Sequence, residues 1–251
     1  MKEKEEVHHV LWTGGNDSTF RVLYLLMNTD EMVQTHYIIR HEESTGNEID
    51  AMNNIRRAVL REHPELNDRF LPTIYVNEDL IPKMDDVVAA VEELRKKLNV
   101  LEQYEIIARY CKSSQIKKID LTFERYADEE ENKKLNIADF FGKTFPFEAI
   151  ENPHSNLTKG DYYPIAREQG WDKYMDMTSF CRRPIKKNKP CGTCGPCTET
   201  MVSGMAFRLS FRARMKSRIL KPIRYYYRKN YLRHDKVWIF RFMKRRFEHK
   251  F

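Results

Sequence analysis

The sequence has no run of about 18 consecutive apolar residues, which is the length that a membrane-spanning helix requires. Half of its first ten residues are charged, and this segment lacks the apolar centre of a secretory signal peptide. Residues are 41% hydrophobic and 32% charged, a balance typical of folded globular proteins. These features predict a cytoplasmic protein, in which disulfide bonds between its five cysteines are not expected.

Two familiar phosphate-binding motifs, Gly-x-x-x-x-Gly-Lys-Ser/Thr and Gly-x-Gly-x-x-Gly, are also absent. The chain has nine glycines, and the one adjacent pair is Gly14–Gly15. This pair separates a predicted strand from a predicted helix, and it is accompanied by Thr13, Asp17 and Ser18. Glycines allow positive φ, and helix N-termini attract anions. The segment therefore predicts a phosphate-binding turn, with an ordinary tight turn as the alternative.

The chain alternates between the two kinds of periodicity that indicate strands and helices. Strands are predicted at 8–13, 34–40, 70–76, 116–123 and 145–150, and helices at 17–28, 48–63, 85–98, 102–115 and 158–171. This order predicts an α/β fold with a parallel sheet and helices on both of its faces. Ligands of such sheets bind beyond the carboxyl ends of the strands, where the glycine pair falls.

Four of the five cysteines are clustered. Cys191, Cys194 and Cys197 are spaced by two residues each, and Cys181 lies ten residues upstream of the first. Thiolates at this spacing can bind one tetrahedral ion, so we predict a structural Zn²⁺ site. An iron–sulfur cluster uses similar spacing and remains an alternative. Cys111 lies in a helical pattern and is predicted to be a core residue.

The formal net charge of +7 is distributed unevenly. Residues 206–251 contain 16 lysines and arginines against two acids, a net charge of +14, so the other 205 residues carry −7. Aromatic residues are interleaved with these cations. Three interpretations remain open: binding of nucleic acid, an amphipathic helix on an anionic membrane, or a helix pair that packs on the acidic body or on a second copy in a homodimer.

The segment from Thr13 to Ser18 resembles the Ser-Gly-Gly-x-Asp-Ser signature of the PP-loop superfamily, the N-type ATP pyrophosphatases. Thr13 replaces the leading serine and keeps its hydroxyl. The resemblance implies a Rossmann-like fold of the adenine nucleotide alpha hydrolase type, with ATP and Mg²⁺ as cofactors and with transfer of AMP to a substrate oxygen. Asp17 is expected to cap the helix or to hold Mg²⁺. The residues expected to bind ATP are Thr13, Gly14, Gly15, Asn16, Asp17, Ser18 and Thr19.

The combination of this turn with the four cysteines resembles the 7-cyano-7-deazaguanine synthase family of queuosine and deazapurine biosynthesis. Thr158–Lys159 and the Thr-x-Phe-Cys string at 178–181 also match that group. The resemblance implies that ATP activates a carboxylate for attack by ammonia, that Asp17, Ser18 and Lys159 act in catalysis, and that zinc is structural. For Lys159, a solvent-facing position at the start of a helix is the alternative. The Gly-Arg-Asn and glycine-rich segments that line the substrate pocket of that family do not occur between Leu98 and Phe123.

These observations predict three regions: an ATP-binding PP-loop domain at 1–177, a zinc-binding segment at 178–204 and a basic helical tail at 205–251. The expected function is that of an ATP-dependent ligase or synthase acting on a small molecule, with a deazapurine carboxylate as one candidate substrate. A tRNA-modifying enzyme of the thiolation or lysidine type is an alternative, as is a non-catalytic protein that senses nucleotides or serves as a scaffold.

Overall fold

A computed structural model of the protein describes residues 7–95, 102–122, 148–149, 157 and 159–220. These residues form an α/β structure. Its strands are β1 (Val7–Leu11), β2 (Met32–Ile39), β3 (Ile74–Asn77), β4 (Lys118–Ile119) and β5 (Glu148–Ala149). Its helices are α1 (Asn16–Asn28), α2 (Thr45–Glu62), α3 (Asp85–Arg95), α4 (Glu102–Ser113), α5 (Lys159–Glu168), α6 (Asp172–Met175) and α7 (Gly195–Val202). Residues 211–220 are also helical.

The strands run parallel. β1 pairs with β2, and β2 pairs with β3, to give a three-stranded sheet. β4 and β5 pair with each other. Asp120 joins the two groups, because its N–H donates to the carbonyl of His9 (2.8 Å) and its carbonyl accepts from the N–H of Leu11 (2.9 Å). Along this line of pairing the strand order is β3-β2-β1-β4-β5.

Helices cover both faces of the sheet, as the sequence predicted. Alternate residues of a strand point to opposite faces. Val33 and Tyr37 of β2 therefore belong to a core shared with α1, α2 and α5. Ile38 points the other way and packs in a second core with α3 and α4. Cys111, which is fully buried in α4, belongs to this second core, so its predicted place in the interior is confirmed.

The third strand begins later than the sequence suggested. The N–H of Val33 donates to the carbonyl of Arg69 (2.8 Å), and the N–H of Leu71 donates to the carbonyl of Val33 (3.0 Å). After Pro72 the register shifts by one residue, since Val33 pairs with Phe70 but His36 pairs with Ile74 rather than with Thr73. Regular pairing resumes at Ile74, which is opposite His36.

In the described part of the chain, the helices are too short or too polar to cross a membrane. The helix at 211–220 gives the first of the predicted C-terminal helices. The rest of the basic tail, most of the predicted fifth strand and the side chain of Lys159 lie outside the described residues.

Candidate functional site

The glycine turn, which we define as residues 12–15, connects the end of β1 to the start of α1. Gly14 has φ +67°, a conformation that side chains other than glycine rarely adopt. A Cβ atom at this position would lie 2.9 Å from the carbonyl oxygen of Glu48 and 3.1 Å from Cγ of Met52. Both the backbone angle and the close approach of α2 therefore require glycine here.

Two hydroxyl groups meet at this turn. Oγ1 of the exposed Thr13 lies 3.3 Å from Oγ of the buried Ser18, which also accepts a hydrogen bond from the N–H of Thr13 (3.3 Å). Gly15 is the N-cap residue of α1 and has no side chain that could cap the helix. The first N–H groups of an α-helix have no partner within the helix. The turn therefore combines hydroxyls with backbone donors, a combination that suits an oxyanion.

Two other residues predicted to bind ATP use their side chains to hold the turn in place. The hydroxyl of Thr19, which is fully buried, accepts a hydrogen bond from Nε1 of Trp12 (3.0 Å). Oδ1 of Asn16 accepts hydrogen bonds from Oγ1 of Thr178 (2.6 Å) and from Nη1 of Arg208 (2.7 Å). Asp17 lies in the first turn of α1 and is half-buried.

A segment distant in sequence closes the turn from the other side. The N–H of Ser179 donates to the carbonyl of Gly14 (2.8 Å), and Nη2 of Arg208 donates to the carbonyl of Thr178 (2.8 Å). The guanidinium of Arg208 also lies over the rings of Tyr163 and Phe180, 5.7 and 4.9 Å from their centroids. Sequence reasoning did not single out Arg208, since it is one of 16 cations in residues 206–251.

The four-cysteine centre begins two residues after Ser179. The Sγ atoms of Cys181, Cys191, Cys194 and Cys197 all lie within 4.8 Å of one another. Two of the separations, Cys181–Cys194 and Cys191–Cys197, are 3.9 Å. A tetrahedral ion bound at about 2.3 Å by four thiolates places the sulfur atoms about 3.8 Å apart. The four cysteines are therefore arranged to bind one metal ion, and their geometry is compatible with zinc.

Backbone donors surround one of these sulfur atoms. The N–H groups of Thr193 and Cys194 both donate to Sγ of Cys191 (3.3 Å each), as does the hydroxyl of Thr193 (3.3 Å). Hydrogen bonds from the neighbouring thiols, that of Cys181 foremost, lower the pKa of Cys191 far below its ordinary value. A thiolate is the form of cysteine that binds metal. The donors around Cys191 stabilise its thiolate, whereas hydrogen bonds within the cluster raise the pKa of Cys181 and Cys197.

Gly192 lets the cysteine loop approach the helix at 211–220. Its φ is +76°, and a Cβ atom there would lie only 2.3 Å from the carbonyl oxygen of Ala213. Cys181, Cys191, Cys197, Leu209 and Ala213 form a buried cluster of their own. The centre is therefore packed against this helix, and Ser179, two residues before Cys181, links it to the glycine turn.

Lys159 is the first residue of α5. This helix packs on α1, since the rings of Phe20 and Tyr162 are 4.7 Å apart.

A cavity of about 480 Å³ lies between α5 and residues 203–207, where Tyr163, Arg167 and Phe207 line it. Met205, also in its wall, contacts the amide nitrogen of Asn16 through its sulfur (3.7 Å). The cavity thus lies beside the residues that hold the glycine turn.

Comparisons with known proteins do not identify a family. No protein-family model matches this chain, and no curated protein matches it significantly.

Proposed function

We propose that the protein is an ATP-dependent adenylating enzyme of the PP-loop type. The observation that carries this proposal is the position of the glycine turn. The turn follows β1. In the sheet, β2 and β3 lie on one side of β1, and β4 and β5 lie on the other side. Open α/β sheets bind ligands at such a switch point, beyond the carboxyl end of the strand.

In the proposed reaction, the phosphates of ATP lie at the glycine turn. Backbone N–H groups and the hydroxyls of Thr13 and Ser18 stabilise the charge that develops on the leaving pyrophosphate. A substrate carboxylate attacks the α-phosphorus, so that a carboxylate oxygen–phosphorus bond forms and pyrophosphate leaves. Ammonia or another amine then attacks the activated carbonyl carbon, and AMP leaves.

Asp17, two residues after the glycine turn, offers a carboxylate to Mg²⁺. It belongs to the first turn of α1, beside Ser18. Mg²⁺ prefers oxygen ligands and, when bound to the nucleotide, neutralises phosphate charge. We propose that zinc is the ion of the four-cysteine centre. A site closed by four protein ligands leaves no open position for a reactant, so its role is structural.

The first test is ATP turnover with product analysis. The purified protein would be incubated with ATP, Mg²⁺, ammonium and a panel of carboxylates that includes 7-carboxy-7-deazaguanine. We expect release of AMP and pyrophosphate only in the presence of one panel member. ATP that fails to bind at all would contradict the proposed role of the glycine turn.

Gly15→Ala is the sharpest variant for this test. At this position φ is −77°, which alanine adopts easily, and the added methyl would meet only Oγ1 of Thr13 (3.3 Å) and the carbonyl of Ser179 (3.7 Å). The fold should persist, while the methyl stands where phosphate would approach. We expect kcat/KM to fall about tenfold or more, a loss of about 1.4 kcal/mol in transition-state stabilisation. Gly46→Ala, with no atom within 4 Å of the new methyl, is the matched control.

The same experiment separates the alternative functions. ATP binding without turnover on any small carboxylate, followed by turnover with tRNA, would favour a tRNA-modifying enzyme. ATP binding without turnover on either substrate class would favour a nucleotide sensor.

A further inference from the structure

The helix at 211–220 exposes a stripe of large apolar side chains. Phe211 is 70% exposed, Met215 40% and Ile219 59%. Residues four apart lie on the same side of an α-helix, so these three side chains form one continuous stripe. Phe207 (58%) and Val202 (59%), which precede the helix, are also exposed.

The opposite side of the same helix is fixed to the body of the protein. Ala213 and Ser217 are each only 3% exposed. Ala213 belongs to the buried cluster of the four-cysteine centre, and its N–H donates to Oγ of Ser210 (3.3 Å) at the start of the helix. The helix therefore cannot rotate to bury the apolar stripe without losing this packing.

Cations border the stripe on both sides. With about 100° of rotation per residue, the centre of the stripe lies about 180° from the buried side. The exposed Arg212 and Arg218 then lie closest to the two edges of the stripe, with the exposed Lys216 beyond Arg212 and the half-buried Arg214 beyond Arg218. No acidic residue occurs at 211–220, and the following residues, 221–251, contribute 11 further lysines and arginines against two acids.

We propose that this face of the helix docks on an anionic membrane surface. Helices that lie in a membrane interface have this design, with an apolar stripe that enters the boundary of the acyl chains and with flanking cations that reach the headgroups. The proposal is independent of adenylation chemistry. It requires no helix that spans the bilayer, since the helix lies parallel to the membrane plane.

The composition of the stripe distinguishes this partner from nucleic acid. A nucleic-acid surface attracts cations and stacks bases on aromatic rings. Met215 and Ile219 offer no ring for stacking, and contact with phosphates would leave the stripe exposed to water. An anionic membrane, in contrast, accommodates both the cations and the aliphatic side chains.

The test is flotation of the full-length protein with phosphatidylcholine vesicles prepared with and without phosphatidylserine. We expect binding only to vesicles that contain phosphatidylserine, and we expect it to weaken as salt increases. The triple variant Phe211→Ser/Met215→Ser/Ile219→Ser removes the stripe and keeps every cation. It should lower the partition coefficient about tenfold or more. Its substitutions are at exposed positions, so its melting temperature should remain close to that of the parent protein.

The control variant is Leu80→Ser/Ile185→Ser. These residues are 79% and 60% exposed but lie elsewhere, and the variant should bind vesicles as the parent does. Three results would overturn the proposal: failure of the parent protein to float, equal flotation of the triple variant, or an equal loss in the control. RNA binding or self-association that the triple variant abolishes, in the absence of vesicle binding, would assign the stripe to that partner instead.

Discussion

The hydroxyl of Thr178 donates a 2.6 Å hydrogen bond to the side-chain oxygen of Asn16, across 162 positions of sequence. Asn16 begins the helix that follows the glycine turn, and Thr178 precedes the first metal-site cysteine by three residues. Arg208 donates to both side chains (2.7 Å each). These hydrogen bonds therefore tie the segment that leads into the four-cysteine centre to the helix that begins at the glycine turn.

Removal of the metal should loosen the glycine turn. Without an ion, the four cysteines no longer constrain the segment that presents Thr178 and Ser179 to the turn. We expect the amide of Ser179, which donates to Gly14, to exchange its hydrogen about tenfold faster or more, equivalent to about 1.4 kcal/mol of lost local stability. Hydrogen exchange before and after chelation, with metal content measured in parallel, checks this expectation.

Helix α4 provides the internal control for that experiment, because it packs on the other face of the sheet. Its protection should change little. Equal protection of Ser179 in the metal-free and metal-bound proteins would show that the turn is held independently of the ion.

Arg208 and Asn16 should be energetically coupled. The guanidinium donates to four uncharged oxygens, those of the Asn16 and Thr178 side chains and of the Asp176 and Thr178 carbonyls. We expect Arg208→Met and Asn16→Ala each to lower the free energy of unfolding by about 1–3 kcal/mol. The double variant should lower the free energy of unfolding by about 1 kcal/mol less than the sum of the two single effects. Urea denaturation of the four proteins measures this coupling. The control is Arg212→Met, at an exposed arginine, which should lower the free energy of unfolding by less than about 0.5 kcal/mol. Strict additivity of the Arg208→Met and Asn16→Ala effects would refute the coupling.

Gly14→Ala should destabilise the protein through both backbone strain and steric contact. A left-handed residue other than glycine costs about 1–2 kcal/mol, and here the new methyl would also lie 2.9 Å from the carbonyl oxygen of Glu48. Gly170→Ala is the matched control, since φ is +72° but no atom lies within 4 Å of its new methyl. We expect Gly14→Ala to lower the melting temperature more than Gly170→Ala does. Equal decreases in melting temperature would mean that α2 can move away from the glycine turn without a cost in free energy.

The sequence predicted those features that depend on local pattern. Periodicity predicted the helices on both faces of the sheet, and the spacing of Cys191, Cys194 and Cys197 predicted a group of cysteines placed to bind a metal ion. The contacts of Asn16 with Thr178 and Arg208 could not be predicted, because they join residues more than 160 positions apart. The local sequence pattern also does not distinguish Arg208 from exposed cations such as Arg212, although Arg208 packs against Phe180. The assignment of the glycine turn to ATP stays a prediction.

A chain of hydrogen bonds on the α4 side of the sheet should make stability depend on pH. Nδ1 of His9 and Nε2 of His36 are 2.8 Å apart, and Nδ1 of His36 lies 2.7 Å from the hydroxyl of Tyr110. His36 is only 2% exposed. Burial, followed by the neighbouring charge of His9, lowers the pKa of His36 from 6.5 to about 4. Burial and the charge of His8 lower the pKa of His9 as well.

These shifts predict that the free energy of unfolding falls as the pH is lowered from about 6.5 to about 4. In this window the unfolded chain has taken up a proton at His36, whereas the folded protein has not, so acid favours the unfolded state by up to about 3 kcal/mol. Urea denaturation at a series of pH values measures the slope. His36→Gln removes one of the two histidines whose pKa is lowered and should reduce this slope. An unchanged slope in His36→Gln would assign the acid sensitivity to other groups, because the buried histidine would then contribute nothing to it.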